Sequence, residues 1–161
     1  MIIFLHFESG DYMDQLDVKL LQLLQLDARM TVSELSKQLS LSRPSVTERL
    51  HRLVEKGIIE GFSARVSPSA VGRDTLLIIQ LSDLKVTPQQ FGEWVRNETD
   101  IIECHQTTGY VGFIIKAAVS GIEGLQKLVD RLIPMGNVHT SVILASPVSH
   151  RHIIPVDKTM E

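Results

Sequence analysis

Apolar residues recur with a helical period up to about residue 57, and beyond that point runs suited to strands appear between the helical stretches. Leu16, Leu20, Leu23 and Leu24 stand at i, i+4, i+7 and i+8, the stripe of an amphipathic helix for which Asp14 or Asp17 is the candidate cap. Thr31-Val32-Ser33-Glu34 has capping-box spacing and opens a second, short helix with Leu35 and Leu39 on one face, ending near Ser40. Ser42 is placed to cap a third helix, Pro44 sits in its first turn where a missing N–H is harmless, and Gly57 is placed to close it in a left-handed turn. Val46, Leu50, Leu53 and Val54 form the apolar stripe of that helix. Three short helices, the last two meeting at a tight turn, predict a helix-turn-helix unit.

After Gly57 the pattern changes. Ile58, Ile59 and Gly61 to Val66 read as an extended segment, followed by turn residues at Ser67-Pro68-Ser69 and Gly72. A strand is expected from Thr75 to Leu84, and then a capping box with proline at the first helical position, Thr87-Pro88-Gln89-Gln90, starts a helix that buries Phe91, Trp94 and Val95. Ile101 to Thr107 and Val111 to Val119 read as two strands joined at Gly109. Ser120 to Glu123 has capping-box spacing and leads a helix marked by Ile122, Leu125, Leu128, Val129 and Leu132, stopped by Pro134 and Gly136 before a last strand, His139 to Ser146. The order β-α-β-β-α-β is the ferredoxin-like plan, four antiparallel strands with both helices on one face. The fold class is therefore α+β: a winged-type helix-turn-helix followed by a ferredoxin-like domain. The expected boundaries are an extension at 1–12, helix-turn-helix 13–65, linker 66–73, ferredoxin-like domain 74–156 and tail 157–161. A sheet of this size with apolar residues on both faces predicts completion by a second subunit.

Charge adds a function to the third helix. Between Arg43 and Lys56 there are four Lys/Arg and two Asp/Glu, a local excess of positive charge in a chain of net charge −3. Short hydroxyls beside arginine at the start of a helix suit phosphates and base edges. Ser42, Arg43, Ser45, Thr47, Arg49 and Arg52 are the candidate DNA-binding residues, with Arg49 assigned to phosphate and Arg43, Ser45, Thr47 and Arg52 to base edges. An amphipathic helix with an arginine-bearing solvent face is common in itself, and the three-helix context is what raises the DNA reading above it.

The residues Leu16-Asp17, Leu20-Leu21, Ala28-Arg29, Leu35, Leu41-Ser42, Val46, Arg49-Leu50, Leu53, Gly57-Ile58-Ile59 and Phe62-Ser63-Ala64, followed by Gly72, Ile102-Glu103-Cys104, Thr108-Gly109 and Thr140, carry a resemblance to the Lrp/AsnC (leucine-responsive, feast/famine) transcription regulators. It runs from about Asp14 to Pro155. The resemblance implies a double-stranded DNA partner, dimerisation through the carboxy-terminal domain, assembly of dimers into octamers, and an amino acid or related small molecule as effector. It places the effector near the loop after the second strand of that domain, which makes Thr108, Gly109, Tyr110, Gly112 and Thr140 the candidate contacts. Gly112 stands where the family pattern has an acidic residue, and Tyr110 or Thr108 are candidates to replace the lost contact.

The same architecture is shared by sirohaem decarboxylases, so tetrapyrrole chemistry is the alternative reading, with His105, His139 and Arg131 as its candidate residues. No catalytic residue is assigned, and Cys104 lacks a paired base. His150 and His152 form an i, i+2 pair without a cysteine or carboxylate partner nearby, so no metal ligand or cofactor is assigned. The apolar runs are too short for a membrane span and Met1 to Phe7 lacks the basic flank of a secretory signal, so a cytoplasmic location is expected.

Overall fold

The computed structural model describes residues 13–155, and the expected extension and tail lie outside the described residues. Its residues fall into two compact units, 13–64 together with 148–155, and Arg65–Pro147.

The first unit is built from α1 (Gln15–Leu26), α2 (Val32–Leu39) and α3 (Arg43–Glu55). Asp14 caps α1, and Asp17 returns the bond to the Asp14 N–H, so two carboxylates form the capping box. Thr31 and Glu34 do the same for α2. Leu20, Leu21 and Leu24 of α1, Leu35 and Leu39 of α2, and Val46 and Leu53 of α3 close a common core. Val54, expected in that stripe, is 45% exposed, because residues one step apart on a helix point about 100° apart and Leu53 is the one that faces α1.

The end of α3 accounts for another difference from expectation. Gly57 adopts φ +67°, its N–H bonds to the Val54 carbonyl, and the Ile58 N–H reaches back to the Leu53 carbonyl at 2.9 Å, the paired bonds of a Schellman cap. Ile58 and Ile59 thereby fold under the helix and pack against its core. Their apolar pair belongs to a helix terminus and not to a strand. Residues 61–66 are exposed, and among the described residues no strand lies between α3 and the sheet. Residues 148–155 return to this unit, where the Gln25 side chain bonds both the N–H and the carbonyl of Ile153 at 2.8 and 2.9 Å.

The second unit follows the expected order: β1 (Thr75–Ser82), α4 (Pro88–Val95), β2 (Ile101–Gln106), β3 (Val111–Val119), α5 (Gly121–Leu132) and β4 (Asn137–Val142). The sheet order is β2-β3-β1-β4, all pairs antiparallel. Leu77, Ile79 and Leu81 of β1 alternate onto one face with Phe113, Ile115 and Ala117 of β3, and Phe91, Leu128 and Leu132 pack there from the helices. Phe91 lies at the centre, its ring 4.6 Å from Phe113 and 5.8 Å from Trp94.

Four details depart from the sequence pattern. β1 stops at Ser82 because Asp83 takes a left-handed φ of 44°, and β4 stops at Val142, short of Ser146. Ser120 makes no side-chain cap for α5; the Gly121 N–H is bonded instead by the Asp74 carboxylate at 3.0 Å, from 47 residues away in sequence. Ile122 is 75% exposed, so the stripe of α5 begins at Leu125.

Candidate nucleic-acid interface

Ser42 fixes the start of α3. Its hydroxyl accepts from the Ser45 N–H and bonds the Ser45 hydroxyl at 2.9 Å, so both serines serve the helix end. Thr47 donates its hydroxyl proton to the Arg43 carbonyl at 3.0 Å, which leaves an acceptor lone pair and a methyl group facing outward. The Arg43 side chain is exposed and makes no hydrogen bond or ion pair among the described residues. Arg43, Pro44, Thr47, Glu48, His51, Arg52 and Glu55 line one shallow groove along the outer side of α3. Spacings of three and four residues put them on one face.

Arg49, the residue expected at phosphate, is held by two carboxylates of its own unit. Its Nη1 donates to Asp14 at 2.6 Å and to Asp17 at 2.7 Å, and its side chain is only 20% exposed. The guanidinium points into the seam between α1 and α3. The Asp17 and Asp14 carboxylates push it above its ordinary pKa, so it is a fixed charge at any working pH. Burial acts to raise the Asp14 carboxyl, but the Asp17 N–H and the Arg49 guanidinium outweigh it and hold that group below its ordinary value. Arg52 is shared: Nη2 lies 2.8 and 3.0 Å from the two Asp17 oxygens, while its side chain remains 42% exposed on the groove.

In the second unit, Thr108, Gly109 and Tyr110 form the turn between β2 and β3, with Gly109 at φ +94° and the Thr107 N–H bonded to the Gly112 carbonyl. The Tyr110 hydroxyl reaches Asp83 at 3.3 Å, and the Asn137 side-chain amide donates to the same carboxylate oxygen at 2.8 Å. A carboxylate thus faces this loop from the end of β1, although position 112 is glycine. Neither Asp83 nor Asn137 carries a local sequence signal for this loop, since they meet only across 54 residues of chain. Thr140 is not brought to the loop within one chain: it pairs with Ile79 three residues into β4, about 10 Å along the strand from Asn137.

The residues named for tetrapyrrole chemistry do not converge. His105 and His139 lie on β2 and β4, the two edge strands, with β3 and β1 between them. Arg131 is held by Glu98 at 2.8 Å and by Asp100 at 2.7 Å on α5. Cys104 is half-buried in β2, where burial raises its thiol pKa and keeps it protonated. No cluster of three or more His, Cys, Asp or Glu able to hold a metal occurs among the described residues, and none of their helices is long and apolar enough to cross a membrane.

A capped three-helix unit with an exposed polar face on its last helix, joined to a four-stranded α+β unit, defines the class: a helix-turn-helix transcription regulator with a separate second domain. Comparison with known proteins agrees. Residues 13–60 match a winged helix-turn-helix DNA-binding family and residues 76–153 match the Lrp/AsnC ligand-binding domain. The proline dehydrogenase transcriptional activator of Rhizobium radiobacter is 32% identical over 84% of this chain and 92% of its own length. The regulator LrpA of Mycobacterium tuberculosis is 29% identical over 91% of this chain and 99% of its own. Among solved structures, a feast or famine regulatory protein from M. tuberculosis complexed with L-methionine superimposes with a TM-score of 0.82 at 28% identity, covering 89% of this chain and 100% of the other. A Neisseria meningitidis transcriptional regulator in complex with L-methionine gives 0.82 at 26% identity, over 88% and 96%. The chain belongs to the Lrp/AsnC family of transcription regulators.

Proposed function

We propose that the protein regulates transcription by binding a pseudo-palindromic site on double-stranded DNA as a homodimer or a larger assembly of dimers, up to an octamer, and that an amino acid modulates it. The exposed outer face of α3 carries this reading. Arg43 is unpaired among the described residues and Arg52 half-exposed, a fork geometry suited to guanine O6 and N7, while the Thr47 methyl suits a thymine methyl. At this helix end Pro44 has no N–H and the Ser45 N–H is taken by the Ser42 hydroxyl, which leaves the Arg43 N–H as the first-turn donor for a phosphate.

Dimerisation is supported by the sheet face opposite the helices, where Leu76, Ile78 and Ile114 are only partly covered and stand beside the Lys116–Glu103 ion pair. Two copies of α3 related by a two-fold read twice the bases of one. The effector reading draws on two neighbours crystallised with L-methionine and on the Asp83 carboxylate beside Tyr110, which offers a partner for an ammonium group.

Selection from random-sequence duplex DNA with the full chain is the test. Recovery of an inverted repeat with half-sites about one helical turn apart is expected. Recovery of no sequence above background, at salt where control regulators select theirs, would remove the reading. Addition of amino acids one at a time to the selected complex then identifies the effector.

A further inference from the structure

The inner side of α3 carries a second arrangement. Asp17 is 2% exposed, yet its carboxylate accepts four contacts from three donors: Arg49 Nη1 at 2.7 Å and Arg52 Nη2 at 3.0 Å on one oxygen, Arg52 Nη2 again at 2.8 Å and the Asp14 N–H at 3.3 Å on the other. Asp14 adds a second carboxylate to Arg49 at 2.6 Å. Stitching two helices together does not require this, since a buried ion pair is often no more stabilising than an apolar pair of the same volume. What the arrangement does is treat two arginines of one helix differently. Arg49 is enclosed between two acids, whereas Arg52 is held at one end and open at the other.

We propose that Asp17 is a positioning residue that sets DNA specificity, withdrawing Arg49 from phosphate and fixing the Arg52 fork toward base edges in the groove. The inference rests on the DNA-binding reading of α3. A free arginine on that helix adds a phosphate contact on any sequence, which raises specific and non-specific binding alike. An arginine whose rotamer is already set by a buried carboxylate meets a base edge in one geometry, which favours the sequence that fits. Retiring one arginine and orienting the other both increase the ratio of specific to non-specific affinity.

The test compares wild type, Arg49→Met, Arg52→Met and Asp17→Asn as full-length proteins on the selected duplex and on a scrambled duplex of equal length. Binding is measured from about 50 to 200 mM KCl, the range over which phosphate contacts show, and folding is checked by thermal unfolding. Arg49→Met is expected to lower thermal stability while leaving the salt slope and the selected-to-scrambled ratio as in wild type. Arg52→Met is expected to cut that ratio by roughly tenfold, the scale of one base-specific contact. Asp17→Asn is expected to steepen the salt slope by about one to two phosphate contacts, at about 0.9 per contact, and to reduce the ratio. A flatter slope in Arg49→Met, or a folded Asp17→Asn with wild-type slope and ratio, overturns the proposal. Should Asp17→Asn fail to fold, the two arginine variants decide it alone. Wild-type protein with no preference between the two duplexes would instead sink the DNA-binding reading itself.

Discussion

Arg43 offers a way to separate binding from folding, because its position makes the two respond in opposite directions. It occupies the first residue of α3, where the helix dipole presents partial positive charge, and a cation there is unfavourable by about 0.3 to 1 kcal/mol at an exposed site. Its side chain is exposed and makes no compensating ion pair among the described residues, and alanine is the better helix former. Arg43→Ala is therefore expected to leave the fold unchanged or to stabilise it by up to about 0.5 kcal/mol. Operator binding should move the other way. Loss of a bidentate base contact costs about 1 to 3 kcal/mol, roughly a 5- to 150-fold rise in Kd.

Fluorescence anisotropy on the selected operator, at matched salt, paired with urea unfolding of the same preparations, measures both quantities. Weaker binding accompanied by an equal or higher unfolding midpoint is the expected result. Unchanged affinity would take Arg43 off the reading face. A fall in both quantities would refute the reasoning in another way, by showing that the side chain supports the helix and acts on DNA only through it.

Other predictions follow from packing, backbone and charge. Phe91→Ala removes the central ring of the second unit and should destabilise that unit by about 3 to 5 kcal/mol, read as a loss in urea midpoint; a change under 1 kcal/mol would contradict the placement of its ring between Phe113 and Trp94. Ser40 closes α2 at φ 54° with an exposed side chain, so Ser40→Gly should stabilise the first unit by up to about 1 kcal/mol, and a lower melting temperature would mean the hydroxyl has a partner in solution. Glu34, bonded by the Thr31 N–H and hydroxyl, and Glu103, paired with Lys116, are both held below the ordinary carboxylate value. A depressed carboxyl contributes stability above its unfolded pKa and loses it as pH falls through the folded one, so unfolding midpoints should hold at neutral pH and decline below about pH 4.5. Lys116→Met should make that decline shallower, and an identical acid limb in the variant would show that the Glu103 pair carries none of it.

Local signals made much of this protein legible. The caps at Thr31 and Thr87, and the full span of β3, depend on residues within a few positions of each other, and each is found where the pattern puts it. Misreadings occur where a partner comes from far along the chain. Asp74 takes over the cap of α5 from Ser120 across 47 residues, and Ile58-Ile59 looks like a strand until the Leu53 carbonyl folds it under a helix end. The groove face of α3 follows from helical periodicity, but periodicity gives only the direction in which Arg49 leaves its helix. It cannot show that two carboxylates of α1 stand within 2.7 Å of that guanidinium.

The loop from Thr107 to Gly112 obeys the same logic and changes how its glycine is understood. By the family resemblance alone, Gly112 stands in the place of an acid. In the folded unit the turn after β1 brings Asp83 to Tyr110 across 27 residues, and Asn137 holds the same oxygen from the start of β4. An acidic side chain at position 112 would start from a Cβ 3.4 Å from both the Leu81 carbonyl oxygen and the Leu84 side chain, ordinary contact at the root with the rest of the chain still to place. The negative charge near this loop is thus supplied by a neighbouring turn and fixed by an amide donor and a phenol. A carboxylate already bonded by two donors gives up those bonds, or shares them, when it accepts an ammonium group, so amino-acid binding here should depend on Asn137 and Tyr110 as well as on Asp83.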